Sequence, residues 1–132
     1  LFLQYRRSWS IAPPPISDNE NNIISYGKLN QTISLDKIPK TESLKDTYER
    51  VIEYYTTTII DHLVNDKAII ITAHGNSLRA LCKYLFKISN EAINNLEIPT
   101  GNPMMINLLS DFSIDTAFYL DKSRAKPLIN ID

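Results

Sequence analysis

Two stretches of this sequence have residue types and spacing that could handle an anion. The first is His74-Gly75-Asn76-Ser77, which lies between the apolar run Ala68-Ile69-Ile70-Ile71-Thr72-Ala73 and a helical period starting at Leu78. A strand would deliver His74 at its carboxyl end. Gly75 would permit a tight turn and close approach of another group to the backbone. Asn76 or Ser77 would open the following helix. The first N–H groups of a helix lack intrahelical acceptors and sit at its positive end, so they attract anions. Ligands of open α/β sheets bind at the carboxyl ends of strands. An imidazolium at that point would add charge-assisted hydrogen bonds. The second stretch is Tyr5-Arg6-Arg7-Ser8-Trp9, in which two adjacent arginines could bracket one anion with planar bidentate forks.

Plainer readings stand beside these. His74 could be a satisfied structural histidine and Gly75 a simple turn. Arg6 and Arg7 could be a solvated basic pair, and for Trp9 core packing is the stronger reading. The His74 segment is neither a Walker loop nor a nucleophile elbow, because it lacks the second glycine and Lys-Ser/Thr of the one and the Gly-x-Ser-x-Gly of the other. His62 reads as a surface histidine, and Cys82 as a core residue on an apolar helix face. Arg79 and Lys83 fall on the polar face of that helix. Glu42 reads as a charge at a helix N-terminus.

The elements that must position these residues follow from periodicity. Leu44, Tyr48, Val51, Ile52, Tyr55, Ile59 and Leu63 recur at steps of three and four, predicting a long amphipathic helix over roughly 42–65. Ser43 and Asp46 form a capping-box variant at its start. Thr56, Thr57 and Thr58 are weak helix formers, so packing must hold that part. Ala68–Ala73, apolar on both faces, predicts a buried parallel strand. Leu78, Leu81, Cys82, Leu85 and Phe86 predict a second helix, and Ser89 would cap a short third one ending near Leu96. Strands are expected at Met104–Leu109 and Ser113–Leu120. Residues 1–40 read as largely irregular, with Pro13, Pro14 and Pro15 forbidding helix. The fold class is α/β, a small mixed sheet with helices on both faces, in a single domain spanning 1–132.

At 132 residues with a net charge of −1, the chain has the size of one domain and lacks the basic excess of a general nucleic-acid binder. A single cysteine cannot make an internal disulfide, which fits a cytoplasmic chain. No apolar run approaches the roughly 20 residues of a membrane helix, so no membrane partner is expected.

Together, Tyr5-Arg6-Arg7-Ser8-Trp9 with Pro13-Pro14-Pro15, Thr41-Glu42-Ser43-Leu44, Ala73-His74-Gly75-Asn76-Ser77-Leu78-Arg79-Ala80-Leu81 and Ile98-Pro99-Thr100-Gly101 resemble the cofactor-dependent phosphoglycerate mutases of the histidine phosphatase superfamily. The resemblance implies a three-layer α/β fold. It implies interconversion of 3-phosphoglycerate and 2-phosphoglycerate through a phosphohistidine, with 2,3-bisphosphoglycerate as primer and no metal. By that resemblance His74 is the catalytic histidine that holds the transferring phosphoryl group. Gly75 and Asn76 bind substrate or phosphate, and Arg6 and Arg7 bind the anionic ends of a small phosphorylated acid.

The sequence departs from the family in two places. It contains no Arg-His-Gly, the family's nucleophile motif, and no Glu-Arg-His, its acid/base segment. Tyr5 stands where the family usually has Trp. The match covers a C-terminal part of the family's length, so the chain reads as a truncated piece that by itself lacks turnover. Two other readings remain open: a phosphatase of the same superfamily, and a remnant that binds anions or a polypeptide without catalysis. By the resemblance, a central strand that should flank Ala68–Ala73 is also missing, and self-association through free strand edges is expected.

Overall fold

A computed structural model describes residues 4–5, 8–16, 39–66 and 68–127. Helix α1 spans Leu44–Tyr54. Ser43 caps it with both halves of the capping box: the Ser43 hydroxyl accepts from the Asp46 amide, and the Asp46 carboxylate accepts from the Ser43 amide at 2.8 Å. This satisfies two N–H groups that the first turn would otherwise leave bare.

The long helix predicted over 42–65 is real in direction but not uniform. A π-helical turn occupies Tyr55–Ile59, and α2 follows at Ile60–Asp66. The cause is local. The Thr56 hydroxyl donates to the carbonyls of Ile52 and Glu53, and the Thr57 hydroxyl donates to that of Glu53 at 2.7 Å. Such back-bonding loosens the α ladder. Tyr55 is nevertheless buried, its ring edge-on to Tyr84 at 5.7 Å, and this contact holds the threonine run against the fold.

Helix α3 spans Gly75–Leu85, and α1 packs on it. It ends where Lys87 takes the left-handed conformation (φ 52°) and the Ile88 amide returns to the Lys83 carbonyl at 3.0 Å. The third helix is a 3-10 turn, Ala92–Asn95, with the Ser89 hydroxyl accepting from the Ala92 amide. Strands β1, Met104–Leu108, and β2, Ile114–Tyr119, pair antiparallel with Met104 opposite Tyr119 and Ile106 opposite Ala117. A register shift falls between Asn107 and Leu108.

Among the described residues the sheet has two strands and is antiparallel, not mixed. Ala68–Ala73 is not a strand: it forms no ladder, and Ile70 is 93% exposed. A strand exists only through its ladder hydrogen bonds, and no described segment offers them here. The α/β class holds all the same. Leu44, Ala80, Cys82, Phe86, Ile88, Ile93 and Leu96 form the core, and Trp9, Ile106, Ile114 and Ala117 pack on it from the N-terminal segment and the sheet. Ile11–Ile16 is neither helix nor strand, and the Ile16 amide donates to the Lys40 carbonyl. Residues 1–3, 6–7 and 17–38 of the expected irregular region lie outside the described residues. No helix among the described residues is long and apolar enough to cross a membrane.

Candidate functional site

His74 is the N-cap of α3, its backbone extended (φ −63°, ψ 148°). The cap thus falls two residues before Asn76 and three before Ser77, the two residues the sequence pattern offered for it, and the helix begins at Gly75. The imidazole Nδ1 accepts from the Asn76 amide at 3.4 Å, a long contact. Accepting needs the Nδ1 lone pair, which assigns the ring proton to Nε2. Nε2–H is the donor left to face a ligand.

Gly75 lies inside the helix and does not take a left-handed turn. A Cβ built on it would meet no atom within 4 Å. The backbone there is open to an incoming group. His74, Gly75 and Asn76 are all exposed. They line an open cleft of about 1570 Å³ together with Ile69, Ile71, Leu81, Leu85, Met104 and Ile106.

Asn76 also reaches a second, smaller cavity of about 280 Å³, whose walls include Tyr5, Ser8, Pro13, Glu42 and Arg79. Arg6 and Arg7 lie outside the described residues, but Tyr5 and Ser8 on either side of them line this cavity with Asn76. The N-terminal segment is held there by two contacts: the Lys45 amide donates to the Trp9 carbonyl at 2.9 Å, and the Thr41 hydroxyl donates to the Pro13 carbonyl. Trp9 packs edge-on against Tyr48 at 5.4 Å, which bears out its core reading.

Arg79 and Lys83 are not on a solvated face. They are 7% and 9% exposed. Arg79 donates through Nη1 to Asn76 Oδ1 at 3.2 Å and through Nη2 to the Ile93 carbonyl at 2.8 Å. Lys83 donates to the Ile88 carbonyl and lies 4.6 Å from the centroid of the Trp9 ring. Burial lowers its pKa. Glu42 does more than charge a helix end. It receives the Arg50 fork and the Thr47 hydroxyl at 2.9 Å, and the Arg50 hydrogen bond holds its carboxyl below the usual range. No local spacing signals that pair, because Glu42 precedes the helix cap and eight residues exceed the three- or four-residue reach of helical neighbours.

Cys82 is buried, and burial pushes its thiol up to about 12, so it is inert as a nucleophile. His62 is exposed on α2. Among the described residues no three His, Cys, Asp or Glu side chains are grouped to hold a metal ion.

Residues 19–111 match the histidine phosphatase superfamily (branch 1). The chain belongs to that superfamily. Within it, the resemblance to the cofactor-dependent phosphoglycerate mutases is borne out by three proteins named 2,3-bisphosphoglycerate-dependent phosphoglycerate mutase. That of Pelagibacter ubique (strain HTCC1062) is 54% identical over 129 residues, covering 95% of this chain and 52% of the relative. That of Caulobacter sp. (strain K31) is 44% identical over 124 residues, covering 94% and 51%. That of Staphylococcus epidermidis (strain ATCC 12228 / FDA PCI 1200) is 41% identical over 117 residues, covering 89% and 51%. The chain spans about half the length of the curated relatives it matches.

Proposed function

We propose that this chain carries the phosphate-binding half of a 2,3-bisphosphoglycerate-dependent phosphoglycerate mutase, in a single partial domain over residues 1–132. The observation that carries this reading is the shared cavity: Asn76, one turn-start away from His74, faces Tyr5 and Ser8, the neighbours of Arg6 and Arg7. In this reading Arg6, Arg7, His74, Gly75 and Asn76 converge on one small phosphorylated acid, 3-phosphoglycerate or 2-phosphoglycerate. Two arginine forks would take its anionic ends. His74 Nε2–H and the Asn76 side-chain Nδ2–H would donate to the transferring phosphoryl group, and the open backbone at Gly75 would let its oxygens close on the helix start.

The donor set fits an anion: a helix N-terminus, an imidazole N–H and a side-chain amide, with open space above Gly75. 2,3-Bisphosphoglycerate, when bound, supplies the phosphoryl group that primes the reaction, and His74, Asn76 and the two arginines would hold it. The names of the relatives support that dependence. Residues 1–132 contain no Arg-His-Gly, so the covalent route has no acceptor histidine in this stretch by motif. We therefore expect binding without turnover from these residues alone, in a cytoplasmic setting.

Titration with inorganic phosphate, followed by NMR at the amides of Gly75 and Asn76, tests the site. Both should shift, and a His74→Ala variant should lose the response. Still amides at Gly75 and Asn76 while distant ones move would end this reading. Incubation with 3-phosphoglycerate and 2,3-bisphosphoglycerate should give no isomerised product. Release of inorganic phosphate from the bisphosphate would favour the phosphatase reading.

We also propose self-association as the chain's partner behaviour. The exposed Ile70 and the apolar walls of the large cleft support it.

A further inference from the structure

We propose that Arg79 is a positioning residue that fixes which face of the Asn76 amide meets the phosphate, an inference that rests on the anion site proposed above. An asparagine amide presents a carbonyl oxygen on one branch and two N–H donors on the other. Rotation by a half-turn exchanges them. An anion needs the donors, and a flipped Asn76 would aim an acceptor at it and repel it.

The geometry settles the choice. Arg79 Nη1 donates to Asn76 Oδ1 at 3.2 Å. The guanidinium has donors only. A flipped Asn76 would set its own N–H groups against those of Arg79, donor against donor. With Oδ1 engaged, Nδ2 is left on the branch turned away from Arg79.

Arg79 is itself held. Its Nη2 donates to the Ile93 carbonyl at 2.8 Å, and Ile93 is fully buried in the core. The 3-10 turn at Ala92–Asn95 thus backs the guanidinium, which backs the Asn76 amide at the start of α3. At 7% exposure the guanidinium has little surface of its own to offer a ligand. Arg79 and Asn76 both line the two cavities, but Asn76 is exposed where Arg79 is buried. The role is to orient a binding group rather than to bind.

A double-mutant cycle on inorganic phosphate affinity, at fixed ionic strength, separates positioning from a direct charge effect. Arg79→Lys keeps the charge but not the fork. Asn76→Ala removes the group being oriented. Each single variant should weaken phosphate binding about fivefold to tenfold, the scale of one ordinary net hydrogen bond. In the Asn76→Ala background, Arg79→Lys should change affinity less than about twofold. An equal loss in both backgrounds would show that Arg79 acts on phosphate directly, and no loss in either would show that it does nothing there; both overturn the proposal.

Arg79 is buried, so the unaltered chain supplies a readout that needs no variant at Arg79. The Asn76 side-chain amide should have an NMR order parameter near the rigid value of about 0.85, and one below about 0.6 would overturn the proposal. Absence of any phosphate response in the unaltered chain would sink the anion site instead, and the order parameter would still judge the contact.

Discussion

The carboxylate of Glu42 accepts both Nε and Nη2 of Arg50, closing a two-pronged pair across the first two turns of α1. The Thr47 hydroxyl adds a third bond to the same group. The pair ties the Thr41-Glu42-Ser43 entry to the helix and forms one wall of the small cavity beside Asn76.

That pair makes stability acid-sensitive in a stated direction. The Arg50 hydrogen bond lowers the folded-state pKa of Glu42 below its ordinary 4.5, and the Ser43 side chain does the same for Asp46 from 3.8. Their contribution is complete above the unfolded values and is lost as pH falls through the folded ones. Stability should therefore decline as pH drops below about 4.5. Glu42→Gln should lower it by about 1 kcal/mol at pH 7 and flatten the acid slope. Urea denaturation from pH 7 to pH 3 reads both. An unchanged slope in the variant would detach Glu42 from the effect.

Cys82 and Tyr119 act at the other end of the scale. Burial raises both folded pKa values to about 12, from 9.0 for the thiol and 10.0 for the phenol. A raised folded pKa gives stability that is whole below the unfolded value and is lost as pH rises through the folded one. The chain should weaken between pH 9 and 12, and Cys82→Ala should reduce the early part of that slope while losing core packing at pH 7. The thiol should also react with an aromatic disulfide reagent at pH 8 only as fast as the chain opens. Labelling of the folded chain at the rate of a free thiol would contradict its burial.

Lys83 sits over the ring of Trp9, the single tryptophan of the sequence. Lys83→Met keeps most of the stem but removes the ammonium, leaving the Ile88 carbonyl without that donor. The expected loss is about 1–3 kcal/mol. Trp9 should report it directly, because its native fluorescence is set beside that charge. A variant with the original emission and the original urea midpoint would mean that neither contact matters.

These residues also show how far the sequence could be read. The apolar face of α1, the capping box and the face of α3 were legible because each depends on neighbours three or four residues away. Arg79 and Lys83 were misplaced onto a polar face because their burial depends on the carbonyls of Ile93 and Ile88, and no local pattern announces a backbone acceptor. The π-helical turn came from where the Thr56 and Thr57 hydroxyls bond, where propensity alone signalled only weakness. Ala68–Ala73 has strand composition, but composition cannot supply a ladder. At the site, His74, Gly75 and Asn76 were legible as a helix start, whereas the tautomer of His74 needed the position of the Asn76 amide.

Ile70 carries the last prediction. It is 93% exposed, in a run of three isoleucines beside an open apolar cleft, so its side chain gives almost nothing to the folded chain by burial. The same exposure makes it available to a second copy, and Ala68–Thr72 carries strand-type residues with no ladder of their own. Substituting Ile70→Asp should therefore separate association from stability. Light scattering should show a smaller mean mass for the variant at high concentration, and thermal unfolding of the dilute chain should change by less than about 0.5 kcal/mol, as for an exposed surface position. Hydrogen exchange closes the test. Protection at the amides of Ile69 to Thr72 should rise with concentration in the unaltered chain and stay low in the variant. Protection that is high and independent of concentration would mean that the segment finds its ladder within one chain, and the association proposal would fall.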